Sequence, residues 1–121
     1  MNYLWTTLHV NNLEKSLDFY EGFLGLKLNK RYMAGPGMVL AFLGEGNTQI
    51  ELVCAENTKC EGPGKGLSMG FQVESLEDTL TLVEKKGIPV SRGILQPNPH
   101  IRFFFVKDPD GYEIQFVEMI S

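Results

Sequence analysis

The chain repeats itself, and this repeat constrains the fold more than any single motif does. "HVNNLEKSLDFYEGFLG" from His9 aligns with "QVESLEDTLTLVEKKG" from Gln72. Val10, Leu13, Glu14, Ser16, Leu17 and Glu21 stand 63 residues before Val73, Leu76, Glu77, Thr79, Leu80 and Glu84. "QIELVC" from Gln49 aligns with "EIQFVE" from Glu113 at a separation of 64, which sets Ile50 on Ile114 and Val53 on Val117. The chain is therefore a tandem of two similar halves. At 121 residues in total, neither half has enough core to stand alone. The expectation is a single domain, residues 1–121, made of two modules at about 3–54 and 67–119.

Each half has the same order of elements. Leu4, Thr6, Leu8 and Val10 alternate with Trp5, Thr7 and His9, the period of a strand. Asn11 with Glu14 has the form of a capping box, and Leu13, Leu17, Tyr20 and Leu24 share one helical face that Gly25 closes. Strands are predicted near 26–32, 38–43 and 48–54. The second half predicts a strand near 67–73 and a helix capped by Ser75 with Asp78, carrying Leu76, Leu80 and Val83 and closed by Gly87. Strands near 88–94, 101–107 and 112–119 complete it, the last entered through the turn "DPDG" at Asp108. The Gly-rich segment "AENTKCEGPGKG" joins the halves. The fold class is α+β: βαβββ modules in tandem, with sheets curled into a cup and helices outside.

Charge and composition exclude several functions. The net charge is -4 and the pI is about 5.1, with no basic stripe, so no nucleic-acid partner is expected. No apolar run approaches the ~20 residues that span a bilayer, so no membrane partner is expected. The start, "MNYLWTTLHV", has neither a basic region nor a small-residue cleavage site, and the expected location is cytoplasmic. Cys54 and Cys60 lack metal-ligand spacing and read as reduced thiols.

The repeat also nominates a site. It equates Trp5 with Ser68 and Glu51 with Gln115, on the first and last strands of the two halves, and under pseudo-twofold symmetry these four are expected to converge. Here the chain resembles the vicinal oxygen chelate superfamily, which includes glyoxalase I, bleomycin-resistance proteins and extradiol dioxygenases. The segments that carry the resemblance are "LHVNNLEKSLDFYEGFLGLKL", "FQVESLEDTLTLVEKKGI" and "FFFVKDPDGYEIQFVE". "SLDFYEGFLGLKL" is particularly similar to bacterial glyoxalase I. In metal-dependent members, the resemblance implies, His or Glu at some or all of the positions of Trp5, Glu51, Ser68 and Gln115 holds a divalent metal. Only Glu51 keeps a strong ligand type. An indole N–H is a donor only, and hydroxyl and amide oxygens are neutral, whereas Zn and Ni favour imidazole, thiolate and carboxylate.

No metal cofactor is therefore expected, with Glu51 and Gln115 as the residual metal candidates. His9 shares a strand face with Trp5 but lies ~13 Å along the strand, too far to substitute. Glu113 shares a face with Gln115, and His100 is expected at a rim. The leading reading is a protein that binds a small organic molecule in the inter-module pocket, as bleomycin-resistance proteins do. Trp5, Phe103 and Phe105 would supply apolar contact, with Thr7, His9, Glu51, Ser68 and Gln115 fixing orientation. The alternative is a glyoxalase I-type lactoylglutathione lyase, needing Zn, Ni, Mn or Co and using Glu51 as the proton-moving carboxylate. A weaker one is a metal-independent lyase or isomerase using Glu51 and His9. Exposed sheet edges and the resemblance both imply a homodimer.

Overall fold

A computed structural model describes residues 1–57, 59–64 and 66–121. Of the linker, Thr58 and Lys65 thus lie outside the described residues. The chain divides into two compact units, Met1–Gly62 and Pro63–Ser121.

The first unit runs β1 (Trp5–His9), α1 (Leu13–Leu17), a π-helical turn (Asp18–Phe23), β2 (Leu28–Met33), β3 (Met38–Leu43) and β4 (Gln49–Ala55). Its four-stranded sheet has the order β1-β4-β3-β2, with β1 parallel to β4 and the other pairs antiparallel. Alternation along the strands gives the sheet one covered face: Leu8, Ala41, Leu43 and Leu52 are fully buried.

Two local expectations are corrected. The helix cap is Asn12, whose side chain accepts from Lys15 N; Asn11 instead brackets the backbone of Cys60 through its amide at 2.7 and 2.9 Å. Two adjacent asparagines offer the same capping chemistry, and Asn11 is drawn off by the longer-range partner. The predicted single helix also widens, with Leu24 N donating to Phe19 O five residues back. The extra residue per turn lets Phe19 pack edge-on to Tyr20 and also against Phe23, at 5.1 and 5.5 Å between ring centres. Gly25 ends the segment at φ 76° as expected.

The second unit runs β5 (Ser68–Gln72), α2 (Leu76–Lys85), β6 (Val90–Asn98), β7 (Ile101–Lys107) and β8 (Glu113–Met119). Its sheet order, β5-β8-β7-β6, is that of the first unit again. The Ser75 cap is formed, with Asp78 N donating to its hydroxyl at 3.2 Å. Phe104, Val106 and Ile114 are fully buried on the covered face. β6 is longer than predicted, running through Pro97 to Asn98; it is an edge strand, where proline removes no ladder bond the sheet needs.

Both expectations of fold class hold: the architecture is α+β, two βαβββ modules in tandem. No helix among the described residues is long and apolar enough to cross a membrane.

Arg102 ties β7 to the start of α2 and to β8. Its guanidinium donates to Glu77 at 2.8 and 3.0 Å and to Glu118 at 2.9 Å, while Glu118 also accepts from Leu76 N at 2.7 Å. The Arg102 hydrogen bonds hold the Glu77 carboxyl below the usual range; for Glu118 the Leu76 amide is the larger cause and Arg102 adds to it. Carboxyls lowered on folding stabilise the fold above their ordinary range, and that contribution is lost as pH falls through the lowered values. The Tm difference between wild type and Arg102→Met should therefore be widest near neutral pH and close as pH falls through the lowered carboxyl values. Thermal melts across that range, followed by circular dichroism, check this; a pH-independent difference would refute it.

Candidate functional site

The open face of each sheet carries the nominated residues, and strand register sets them in a row. In the first unit Thr7 pairs with Glu51, Glu51 with Phe42, and Phe42 with Lys30. Partners in register project to the same side of a sheet, so Lys30, Phe42, Glu51 and Thr7 form one line across four strands, about 14 Å long. The Thr7 hydroxyl donates to Glu51 Oε1 at 2.5 Å, leaving the second carboxylate oxygen for another donor. Trp5, two residues before Thr7 on β1, stands edge-on to Phe42 at 5.2 Å and is 41% exposed. The Lys30 ammonium lies 4.8 Å over the Phe42 ring and 5.9 Å from that of Tyr32.

The second unit builds the same row with different chemistry. Gly70 pairs with Gln115, Gln115 with Phe105, and Phe105 with Arg92. Arg92 lies 3.8 Å over the Phe105 ring and ion-pairs with Glu113 at 3.3 Å. Gly70 stands where the first unit has Thr7, and the Gln115 amide oxygen lies 3.3 Å from where a Cβ on Gly70 would sit. Lacking a side chain at residue 70, the sheet lets Gln115 lie flat across its neighbour. Phe103 and Phe105 contact edge-on at 5.8 Å, while Phe104 packs on Phe116 at 5.3 Å on the covered face.

The equivalences drawn from the repeat hold at the level of register. Trp5 pairs with Gln49 as Ser68 pairs with Glu113, and Thr7 pairs with Glu51 as Gly70 pairs with Gln115. Within the first unit the structure brings together Trp5, Thr7 and Glu51; within the second, Phe103, Phe105 and Gln115 share a face with the exposed Ser68. His9 is at the other end of β1 from Trp5, lining a 200 Å³ cavity with Val53, Lys59 and Cys60. His100 sits in the exposed turn between β6 and β7, its N–H donating to Asn98. Glu113 is committed to Arg92. Lys30, Phe42, Arg92 and Gly70 join the rows without having been nominated by sequence pattern. The repeat contains the signal, because Phe42 stands 63 residues before Phe105 and Lys30 stands 62 before Arg92.

The family model described as the Glyoxalase/Bleomycin resistance protein/Dioxygenase superfamily matches residues 2–116. The chain belongs to this superfamily. Among curated relatives, lactoylglutathione lyase of Neisseria meningitidis serogroup A is 36% identical, with 100% of this chain and 93% of that protein covered. A Bacillus subtilis protein of no stated activity, YwbC, is 30% identical over 93% of this chain and 94% of its own length. Among solved structures, the trypanothione-dependent glyoxalase I of Leishmania major superposes with a TM-score of 0.83 at 25% identity, covering 98% of this chain and 86% of that one.

Metal-dependent members of the superfamily imply a divalent metal, and the residues present here fit one poorly. Of the four implied ligand positions, the first unit offers an indole packed on Phe42 and a carboxylate already engaged by Thr7; the second offers a hydroxyl and an amide. That is one anionic donor and no imidazole, against the imidazole and carboxylate sets such ions prefer. Among the described residues no three His, Cys, Asp or Glu side chains gather at one place.

Proposed function

We propose that this superfamily member binds a small, flat organic molecule on the open face of its first unit, without a divalent metal. The observation that carries the reading is Trp5. At a position where the superfamily resemblance implies a metal ligand, the chain presents an exposed indole braced edge-on by Phe42. Such a wall gives a ligand ring apolar area at little entropic cost, since it is already held in place. Glu51, oriented by Thr7, offers a directional acceptor beside it. On the second unit Ser68, Phe103, Phe105 and Gln115 present the same mixture of ring and amide. His9 is the weakest of the proposed contacts, being at the far end of its strand. The proposal includes a cytoplasmic homodimer with Cys54 and Cys60 reduced.

A second reading rests on the relatives: a lactoylglutathione lyase using Zn, Ni, Mn or Co, with Glu51 moving the proton. Elemental analysis of untagged protein prepared without chelator, calorimetric titration of those four ions, and an assay for lactoylglutathione formation separate the two. We expect no divalent ion bound more tightly than ~1 μM and no turnover. Stoichiometric metal with turnover, both lost in Glu51→Gln, would overturn the proposal. Light scattering on the same preparation reads the mass, and a monomer would remove the homodimer from it.

A further inference from the structure

The two units differ at one point where their matching rows predict sameness. In each, the outer strand has a register irregularity immediately before a basic residue: between Leu28 and Lys30 in β2, and between Val90 and Arg92 in β6. A bulge re-aims the side chain that follows it. Here it lays a cation on the aromatic ring opposite, Lys30 on Phe42 and Arg92 on Phe105. Arg92 is then neutralised by Glu113 on β8, which reaches it across β7. The residue 64 before Glu113 is Gln49, which is neutral and spends its side-chain oxygen on Asn29 Nδ2 at 2.9 Å. Lys30 consequently has no ion-pair partner among the described residues.

We propose that Lys30 is an anion-anchoring residue, and that the ligand of the first unit is an aromatic organic anion whose carboxylate or phosphate pairs with the Lys30 ammonium as the Glu113 carboxylate pairs with Arg92. Deepening the binding function proposed above, the inference depends on that reading. The aromatic floor holds the ammonium in place before the ligand arrives, so less side-chain entropy is lost on pairing. Trp5 packs on the other side of Phe42 and meets the ring of the same ligand. Glu51 restricts where the anionic group can sit: it must point toward β2, away from the carboxylate on β4, and its opposite edge can donate to Glu51.

The single tryptophan gives one indole N–H resonance, a direct reporter of this face. Titrating the full chain with 2-naphthoate, 2-naphthyl phosphate, neutral 2-naphthamide and 2-naphthylmethylammonium, and following that resonance, ranks the four charges on one ring. We expect the two anions to bind best. Lys30→Met should weaken them about fivefold, as fits one partly exposed charged contact, and leave the amide unchanged. Gln49→Glu, which supplies internally the anion that Arg92 already has, should weaken them similarly. Equal binding of amide and anions, or preference for the ammonium compound, overturns the anion anchor while leaving the binding function standing. No shift with any of the four overturns both. If the phosphate alone binds, and does so equally in Lys30→Met, the anchor is overturned.

Discussion

Phe104→Ala should destabilise the chain by about 4 kcal/mol, the largest effect expected of any single substitution here. Phe104 is fully buried at the centre of β7, on the covered face of the second sheet. Its ring packs on Phe116 across the β7–β8 pair, with Val106 and Ile114, both fully buried, as neighbours on the same face. Truncation to alanine loses the transfer free energy of the ring and leaves a cavity walled by strands whose backbone ladders hold them apart. A sheet collapses into such a void less readily than a loop, which favours the upper part of the range. Phe104→Leu, keeping most of the volume, should cost about 1–1.5 kcal/mol. Urea unfolding followed by far-ultraviolet circular dichroism measures both. A loss below about 1.5 kcal/mol for the alanine variant would mean that the ring is not packed as described.

The contrast with its neighbours connects stability to function. Phe103 and Phe105 differ from Phe104 only in the face they address, yet they share the open face with Gln115 and Arg92. Period-two alternation makes this division legible in "FFF" from the amino-acid sequence alone. The same periodicity, with the internal repeat, discloses the eight strands, the α2 cap and the equivalence of Trp5 with Ser68 and Glu51 with Gln115. What stays hidden has physical causes. Lys30 and Arg92 reach their rings only because of a one-residue irregularity in an edge strand, and a bulge has no mandatory residue signature when no glycine is needed. Phe42 is 4% exposed and reads as plain core, although its ring contacts the exposed Trp5 and the Lys30 ammonium. The choice between Asn11 and Asn12 as cap turns on Cys60, 49 residues away from Asn11, beyond the reach of any local rule.

The turn that launches the last strand gives the second large effect. Asp108→Ala should cost about 3 kcal/mol, for a residue that sequence alone would class as a surface turn acid. Asp108 is 6% exposed. Its Oδ1 accepts from Asp110 N at 2.9 Å and from Tyr112 N at 2.8 Å, and its own N–H donates to Tyr112 O at 2.9 Å. Alanine would leave two amides of a compact turn without their acceptor, one of them on the buried Tyr112; each such loss costs ~1–3 kcal/mol. Asp108→Asn retains a carbonyl oxygen in the same place and should recover at least half of the loss. The substitution also tests the link between turn and site. Asp108 and Tyr112 fix where β8 begins, and thus the register that sets Glu113 beside Ser68 and Gln115 beside Gly70. With that anchor removed, Glu113 should hold Arg92 less firmly. The ion pair and the Phe105 ring should shift the Arg92 side-chain Nε–H resonance in wild type; it is expected to move toward its free-arginine position in Asp108→Ala and to stay in place in Asp108→Asn. Unaltered stability in the alanine variant would show that water replaces the lost acceptor at no cost, and β8 would then owe its register to the sheet ladder alone.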